Sequence, residues 1–474
     1  MTPGLRYHLV SYGCQMNKLD GELVESRLRQ RGLLPASCEE EADVVLLNTC
    51  SVRQHAEDRV WSKLGRLRVR KRAEPSLVVG VLGCMAEEHK RYLLARMPHV
   101  DLVVGPSAFG DIDERVARAH ARNIELAAAR DLAQGLRGVV GAGIVAVGAG
   151  ASGDGIARDV RVRPHRSQAY VSIMRGCNMP CSYCIVPATR GPEVSRPLED
   201  IAEEVERLCA DGVSEVTLLG QTVNAYGRDL SPKRTLVDLL ERLHRIAPLR
   251  RLSFITSHPN FLTGDLIEAF AGMQKLGRYL HLPAQSGSDR VLKAMRRGYT
   301  ADRYLDRIEA LREAAPDVDI HSDFIVGYPG ETAGDFDLTV ALMERVRFAQ
   351  SYVFKYSPRP GTRAAELEDD VPMEEKERRN QVLLSVQERH GLGFNQSRIG
   401  AVEEVLVEGP SARIPGRWSG RTAHHRIVHF EPRNRGDPTG RYVRVRVREA
   451  LPHSLVGEEI EEEQREARTH RSAV

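Results

Sequence analysis

The chain lacks any uninterrupted apolar run long enough to span a membrane, and no signal-type apolar segment follows its first residue. Met1 to Tyr7 leads directly into a short strand pattern, so a protein of the cytosol with no membrane partner is expected. A large charge imbalance is also missing. The formal net charge of +3 identifies no polyanionic partner by itself. Lys is scarce, and nearly all basic residues are Arg. Genomic base composition explains that bias unless Arg clusters locally, where it suits phosphate and base contacts. Cys occurs only eight times, and reduced cysteines that ligate metal suit such a compartment. What remains is ordinary soluble composition, 42% hydrophobic and 28% charged. The length allows about three domains of roughly 150 residues.

Three of the eight cysteines share one loop. Cys177, Cys181 and Cys184 have C-x3-C-x2-C spacing and follow Ala169-Tyr170-Val171-Ser172-Ile173-Met174, which reads as a strand. Random placement of the cysteines would give this spacing about 0.002 times in such a chain. Three thiolates cannot all pair into disulfides. They can hold three corners of a cubane iron–sulfur cluster, for which Cys is the usual ligand. A four-iron cluster needs four ligands, so one iron would stay open to hold and reduce a substrate. A zinc site usually takes four ligands in two C-x2-C-type pairs. No second pair lies nearby, and the loop contains no His. An iron–sulfur site is therefore favoured over zinc or core packing.

Residues 1–120 alternate strand and helix patterns, which argues for a parallel α/β sheet. Strands are expected at Tyr7–Tyr12, Asp43–Asn48, Leu77–Leu82 and Val100–Val104, with helices over Asp20–Leu34, from about Gln54 and from about Glu87. Cys14, Cys50 and Cys84 each sit just beyond an apolar strand. In a parallel sheet those carboxyl ends share one edge, where ligands bind. The three are expected to converge there as a second metal site, against the alternative that each is a small core residue. Cys209 is expected to be buried on a helix, and Cys38 lies in a polar loop. Residues 121–162 read as a Gly/Ala-rich linker. Within it Gly141-Ala142-Gly143-Ile144-Val145-Ala146 matches a loose dinucleotide fingerprint, discounted because its strand is poor and more Gly follows.

Residues 163–395 repeat strand then helix about six times, which suggests a barrel or incomplete barrel. Its strands are expected at Tyr170–Met174, Glu215–Leu219, Leu252–Thr256, Tyr279–Leu282, Val318–Val326 and Ser351–Tyr356. Polar residues crowd their ends: Gln221, Asn224, Ser257, His258, Gln285 and Asp323. Residues 396–462 carry only short strand patterns and read as a small antiparallel barrel. In Val443-Arg444-Val445-Arg446-Val447-Arg448 the alternation puts Val on one face and Arg on the other. Arg413, Arg417 and Arg421 lie nearby, beside Trp418. That face is either solvated surface or a nucleic-acid contact. Residues 463–474 look like a frayed charged tail.

The cysteine loop, with Tyr183 before its last cysteine, resembles the radical S-adenosylmethionine signature. The whole chain resembles the methylthiotransferase family in its domain order: a domain with three cysteines, a radical domain and a terminal TRAM domain. The strings that carry the resemblance include Tyr12-Gly13-Cys14-Gln15-Met16-Asn17, Leu47-Asn48-Thr49-Cys50-Ser51-Val52-Arg53 and Gly83-Cys84. Others are Met174-Arg175-Gly176-Cys177-Asn178, Thr189-Arg190-Gly191, Val223-Asn224-Ala225-Tyr226-Gly227, Gln285-Ser286-Gly287-Ser288, Asp323-Phe324-Ile325-Val326-Gly327 and Tyr356-Ser357-Pro358-Arg359-Pro360-Gly361-Thr362. Together the matches run from Ser11 to about Gly457, apart from the linker. The sequence departs from the family pattern at Asn178-Met179-Pro180, at Pro187-Ala188-Thr189, at Thr222 and in the insert near Gly141. None of these is expected to touch a cluster ligand.

The resemblance implies two [4Fe–4S] clusters, one at Cys177, Cys181 and Cys184 and one at Cys14, Cys50 and Cys84. It implies S-adenosylmethionine as cofactor, two per turnover. Tyr183 would pack near its adenine, and Gly220 and Gln221 would meet its methionine end. Ser253, Gln285 and Asp323 are further candidates for cofactor or substrate contacts, or satisfied polar groups at a barrel mouth. The implied substrate is an unpaired adenosine in a tRNA anticodon stem-loop, N6-isopentenyladenosine at position 37. An external electron donor and a monomeric chain are expected, although the sequence itself reveals neither the donor's identity nor the oligomeric state. Rival readings are sister enzymes acting on threonylcarbamoyl-adenosine or on a ribosomal-protein aspartate, and a non-catalytic RNA-binding protein with structural zinc.

Overall fold

The structure, a computed structural model, describes residues 4–51, 54–132, 143–147, 158–433 and 436–461. Val52, Arg53, Gly141, Ala142 and the tail 463–474 figured in sequence-based expectations and lie outside those residues.

Arg6–Ser11 (β1), Leu34–Pro35 (β2), Val44–Thr49 (β3), Val78–Gly83 (β4), Leu102–Val104 (β5) and Ile144–Ala146 (β6) form one parallel sheet, ordered β2-β1-β3-β4-β5-β6. β3 and β4 are apolar along most of their length because helices cover both faces. Gln15–Gln30 (α1) and Ile112–Leu132 (α4) pack on one face through Val24, Leu28, Ile112 and Val116. Gln54–Ala73 (α2) and Cys84–Arg96 (α3) pack on the other through Val60, Leu64, Met85 and Leu93. The stretch expected as a linker is partly built in: α4 runs through its first residues, and β6 adds the sixth strand. β6 is three residues long, too short to show a period in sequence.

The central region holds Gln168–Ser172 (β7), the short pair Met174–Arg175 (β8) and Val194–Ser195 (β9), Glu215–Leu219 (β10), Arg251–Phe254 (β11), Tyr279–His281 (β12), Asp319–Val326 (β13) and Gln350–Lys355 (β14). β11-β10-β7 and β12-β13-β14 are two parallel sheets, and a parallel bridge between Leu252 and Leu276 links them into an open arc. This is the expected incomplete barrel of six strands. Val186–Arg190 (α5) follows the cysteine loop. Leu198–Ala210 (α6), Leu236–His244 (α7), Gly264–Gly272 (α8), Asp289–Ala294 (α9), Ala301–Ala314 (α10), Ala333–Val346 (α11) and Met373–Gln396 (α12) complete the set. Capping boxes, Thr235 with Asp238 and Thr332 with Asp335, set the starts of α7 and α11. One continuous apolar core fills the space between arc and helices.

Val402–Pro410 (β15), Trp418–Arg421 (β16), Ile427–Glu431 (β17), Tyr442–Leu451 (β18) and Ser454–Ile460 (β19) close into a barrel, β15-β16-β17-β19-β18. Val443, Val445 and Val447 point inward to Val405, Val428 and Phe430, with Arg444 and Arg446 on the outer face. Four ladders are antiparallel and β17–β19 is parallel. Strands of alternating direction cannot close a ring of odd number without one like-directed pair. No helix among the described residues is long and apolar enough to cross a membrane.

Two glycines set the turns at the sheet edge. Gly83 ends β4 at φ 89°, and a Cβ there would lie 2.4 Å from Asn48 Oδ1 and 2.7 Å from Thr49 O. Gly13, at φ 112°, would put a Cβ 2.4 Å from the Cys50 Cβ. Both turns are left-handed and tightly packed, so only Gly fits. Gly13 also lets α1 start at Gln15, five residues before the sequence pattern suggests. Gly83→Ala is expected to cost about 1–3 kcal/mol, read as a lower urea midpoint at unchanged m-value.

Candidate active site

β1, β3 and β4 end at one sheet edge. Cys14 follows β1 and caps α1, Cys50 follows β3, and Cys84 opens α3. Facing them is the loop after β8, with Cys177, Cys181 and Cys184. All six cysteines line one cavity of about 370 Å³ between the two domains. Every cysteine in the chain is free. Cys209 is buried on α6 and Cys38 is half-buried in a loop, both away from the cavity.

The first trio is held by a polar network behind it. Cys14 Sγ donates to Asn17 Oδ1 at 3.0 Å. Asn48, fully buried, donates to the Asn17 carbonyl at 2.7 Å. The Cys50 side chain hydrogen-bonds Cys14 and pulls its thiol down to about 6, against the burial that raises it. Burial pushes the Cys84 thiol up. In the second trio burial raises Cys177 and takes Cys184 to about 12.

Two buried arginines touch these sulfurs. Arg190, at the end of α5, donates to Cys84 Sγ at 3.3 Å and to Asp20 of α1 at 2.6 Å. Arg297 donates to Cys181 Sγ at 3.2 Å, to the Tyr299 hydroxyl at 3.0 Å and to the Pro283 carbonyl. Among the described residues Arg297 pairs with no carboxylate, although it is 5% exposed. A buried cation without a counter-ion is costly. Thiolates of a bound, anionic cluster would supply that counter-charge, so the donor set and its surroundings fit iron–sulfur ligation. Backbone N–H of Met179 and the Thr222 hydroxyl also reach Cys177 Sγ, at 3.4 and 3.3 Å. The departures at Met179 and Thr222 therefore do touch a candidate ligand, a correction to the sequence-based expectation. The contact joins the turn after β10 to the cysteine loop, and sequence spacing does not reveal it.

The cavity also collects Tyr183, Gly220, Gln221, Gln285 and Asp323. Ser253 is not among its lining residues. It sits within β11, below the strand end, and packs against Gly277. Around the cavity, Gln221 Oε1, Gln285 Oε1, Ser257 Oγ and His258 Nε2 are buried without a hydrogen-bond partner. Each such atom costs about 1–3 kcal/mol, and four around one cavity fit a polar ligand such as an amino acid–nucleoside cofactor. Gln285 is held there at φ 72°, in the left-handed region. Asp323 accepts from His281 Nε2 at 3.1 Å. Sequence reasoning assigned no role to Arg190, Arg297, His281, His321 and His425, all of which line the cavity. Arg190 lay inside a quoted string, and His281 inside the expected strand Tyr279–Leu282. The other three carried no local signal.

Three family descriptions match the chain: the Radical SAM superfamily over residues 171–343, the TRAM domain over 396–460, and "Uncharacterized protein family UPF0004" over 6–105. The chain is similar to a tRNA-2-methylthio-N(6)-dimethylallyladenosine synthase of Syntrophobacter fumaroxidans, 45% identical over 96% of both chains. A protein of the same name from Akkermansia muciniphila is 42% identical, covering 95% of this chain and 98% of its own. Among solved structures the fold is similar to the radical S-adenosylmethionine methyltransferase TsrM of Kitasatospora setae, with cobalamin and a [4Fe-4S] cluster bound. The TM-score is 0.51 at 14% identity, over 87% of this chain and 82% of that one.

Burial holds His258 and His321 neutral, with both pushed down to about 3. Their unfolded counterparts titrate near ~6.5. Stability is therefore full above that value. It falls as pH drops toward 3, by up to about 1.4 kcal/mol per pH unit for each His. Urea unfolding at a series of pH values is expected to show this slope, and His321→Asn to flatten it.

Proposed function

The chain belongs to the family of tRNA-2-methylthio-N(6)-dimethylallyladenosine synthases, which are radical S-adenosylmethionine enzymes, and we propose that it attaches a methylthio group to C2 of N6-isopentenyladenosine at position 37 of tRNA. A [4Fe–4S] cluster and S-adenosylmethionine go with the radical domain. The tRNA substrate goes with the TRAM domain and the relatives. Cys177, Cys181 and Cys184 would hold the radical cluster. Cys14, Cys50 and Cys84 would hold a second. The observation that carries this reading is the single cavity shared by both trios. When bound, these groups supply a carbon radical able to break an aromatic C–H bond and the methylated sulfur that replaces the hydrogen.

The chain's own residues orient and shield that chemistry. Arg297 and Arg190 offset negative charge on Cys181 and Cys84. Gln221, Gln285, Ser257 and His258 offer unpaired polar atoms to the amino acid and nucleoside parts of the cofactor. Tyr183 brings its ring to the cysteine loop, as an adenine neighbour. The flipped-out base enters from the anticodon loop. The Arg-bearing outer face of β18 grips phosphates, so binding weakens with salt. Two S-adenosylmethionines are consumed per turnover, an external donor supplies the electron, and the chain acts as a monomer. The sister substrates and the zinc-containing RNA-binding reading fall behind. The relatives carry the isopentenyl substrate in their name, and an acid-free buried Arg suits an anionic cluster better than neutral packing.

Anaerobic reconstitution is expected to load about eight irons per chain. Cys50→Ala should load about four, still cleave S-adenosylmethionine to 5′-deoxyadenosine, and yield no methylthio product. Cys177→Ala should abolish cleavage itself. Equal loss of cleavage in both variants would count against two separate clusters. Nucleoside mass analysis of tRNA from a deletion strain should show the isopentenyl group retained and the methylthio group gone.

A further inference from the structure

The arc of the central domain is open at two ends. The cysteines cover the carboxyl ends of its strands. At the amino ends stand Glu215 of β10, Arg251 of β11, Tyr279 of β12 and Asp319 of β13. The connection between β16 and β17 of the C-terminal barrel is seated there. Arg426 makes a two-pronged salt bridge to Asp319, with both hydrogen bonds at 2.9 Å. Arg278 N–H donates to the Ala423 carbonyl at 2.8 Å, and Arg251 donates to the Arg421 carbonyl at 3.3 Å. His424 Nε2 meets the Asp317 carbonyl at 3.0 Å. The hairpin is thus bonded to β11, to β13 and to the segments leading into β12 and β13.

At its tip is His425. Its ring stacks on Tyr279, with centroids 4.8 Å apart and planes 27° apart. Tyr279 in turn lies 5.3 Å from His321. All three line the cavity that holds the six cysteines. His425 takes φ 62°, a left-handed conformation uncommon outside Gly, Asn, Asp and His. The hairpin holds it there: His425 N–H donates to the Thr422 carbonyl at 3.0 Å, and its own carbonyl accepts from Arg421 at 3.2 Å. A backbone forced left-handed to aim one ring into a distant domain's cavity is more than a surface contact needs.

We propose that His425 is a positioning residue of the radical chamber: it forms the chamber floor, so that the TRAM barrel closes the catalytic barrel from below in addition to meeting RNA. This rests on the function proposed above. A radical competent to break an aromatic C–H bond is wasted on any other hydrogen it reaches, so a chamber open at its base would spend cofactor without product.

The test uses the full chain, reconstituted and metal-free. His425→Gly removes the ring and suits the left-handed backbone. His425→Phe restores a ring able to stack on Tyr279. In the reconstituted enzyme the expected result is a several-fold rise in 5′-deoxyadenosine formed per methylthiolated tRNA for the Gly variant, and a return toward the native ratio for Phe. In the metal-free chain, amide exchange in β12 and the first half of β13 should quicken for Gly and not for Phe, with β15 and β18 unchanged. An unaltered ratio in the Gly variant, or a Phe variant as uncoupled as Gly, overturns the proposal. Native enzyme that forms no methylthio product refutes the functional reading instead, and the exchange comparison still decides whether His425 is the floor.

Discussion

Arg190 carries a full positive charge into the seam between two domains and finds Asp20 and Cys84 there. Stripping water from a guanidinium costs several kcal/mol, repaid only by well-placed partners. Separating the domains would leave both Arg190 and Asp20 unpaired at a surface shaped for neither. The position of everything nearby follows. Arg190 ends the short helix after the cysteine loop, and Asp20 lies in the second turn of the helix after Cys14. Holding them together fixes the two sulfur trios across a shared space. A second clasp backs it: Arg158 bonds Glu22 at 2.6 Å and Glu204 at 3.1 Å, all nearly solvent-free. Met16, Leu19 and Leu219 fill the gap between.

The chamber is composite. The first sheet supplies one wall, the arc of six strands supplies the others, and the terminal barrel supplies its base. Each unit has its own apolar core, and the polar clasps join them. Stability and site geometry are thereby separated. The cores decide whether each unit folds, while a few buried ion pairs decide how the units face one another.

Much of this was legible in the sequence because it was periodic or closely spaced. The C-x3-C-x2-C loop is local. The long apolar runs of β3 and β4 announce a sheet covered on both faces, and three cysteines at equivalent strand ends must converge if that sheet is parallel. Alternating Val and Arg in β18 shows its two faces directly. What stayed hidden depends on contacts between distant segments. Ser253 looked like a mouth residue, but it lies inside β11 (Arg251–Phe254) with its hydroxyl toward Gly277, away from the cavity. Thr222 looked remote from the ligands until β10 and the loop were placed side by side. His321 and His425 are ordinary residues in sequence, and only docking of one barrel beneath another gives them a role. β6 was too short and too close to Gly to be told from a linker.

The hydrogen bond between Cys14 and Cys50 has a cost for the newborn polypeptide. It draws the Cys14 thiol toward its thiolate, the form that oxidants attack. A Cys14 oxidised before the proposed second cluster is loaded would no longer offer that cluster a ligand. Cys84 and Cys184, kept neutral by their surroundings, are better protected. On the function proposed above, Cys14 is thus the ligand that most needs early metallation.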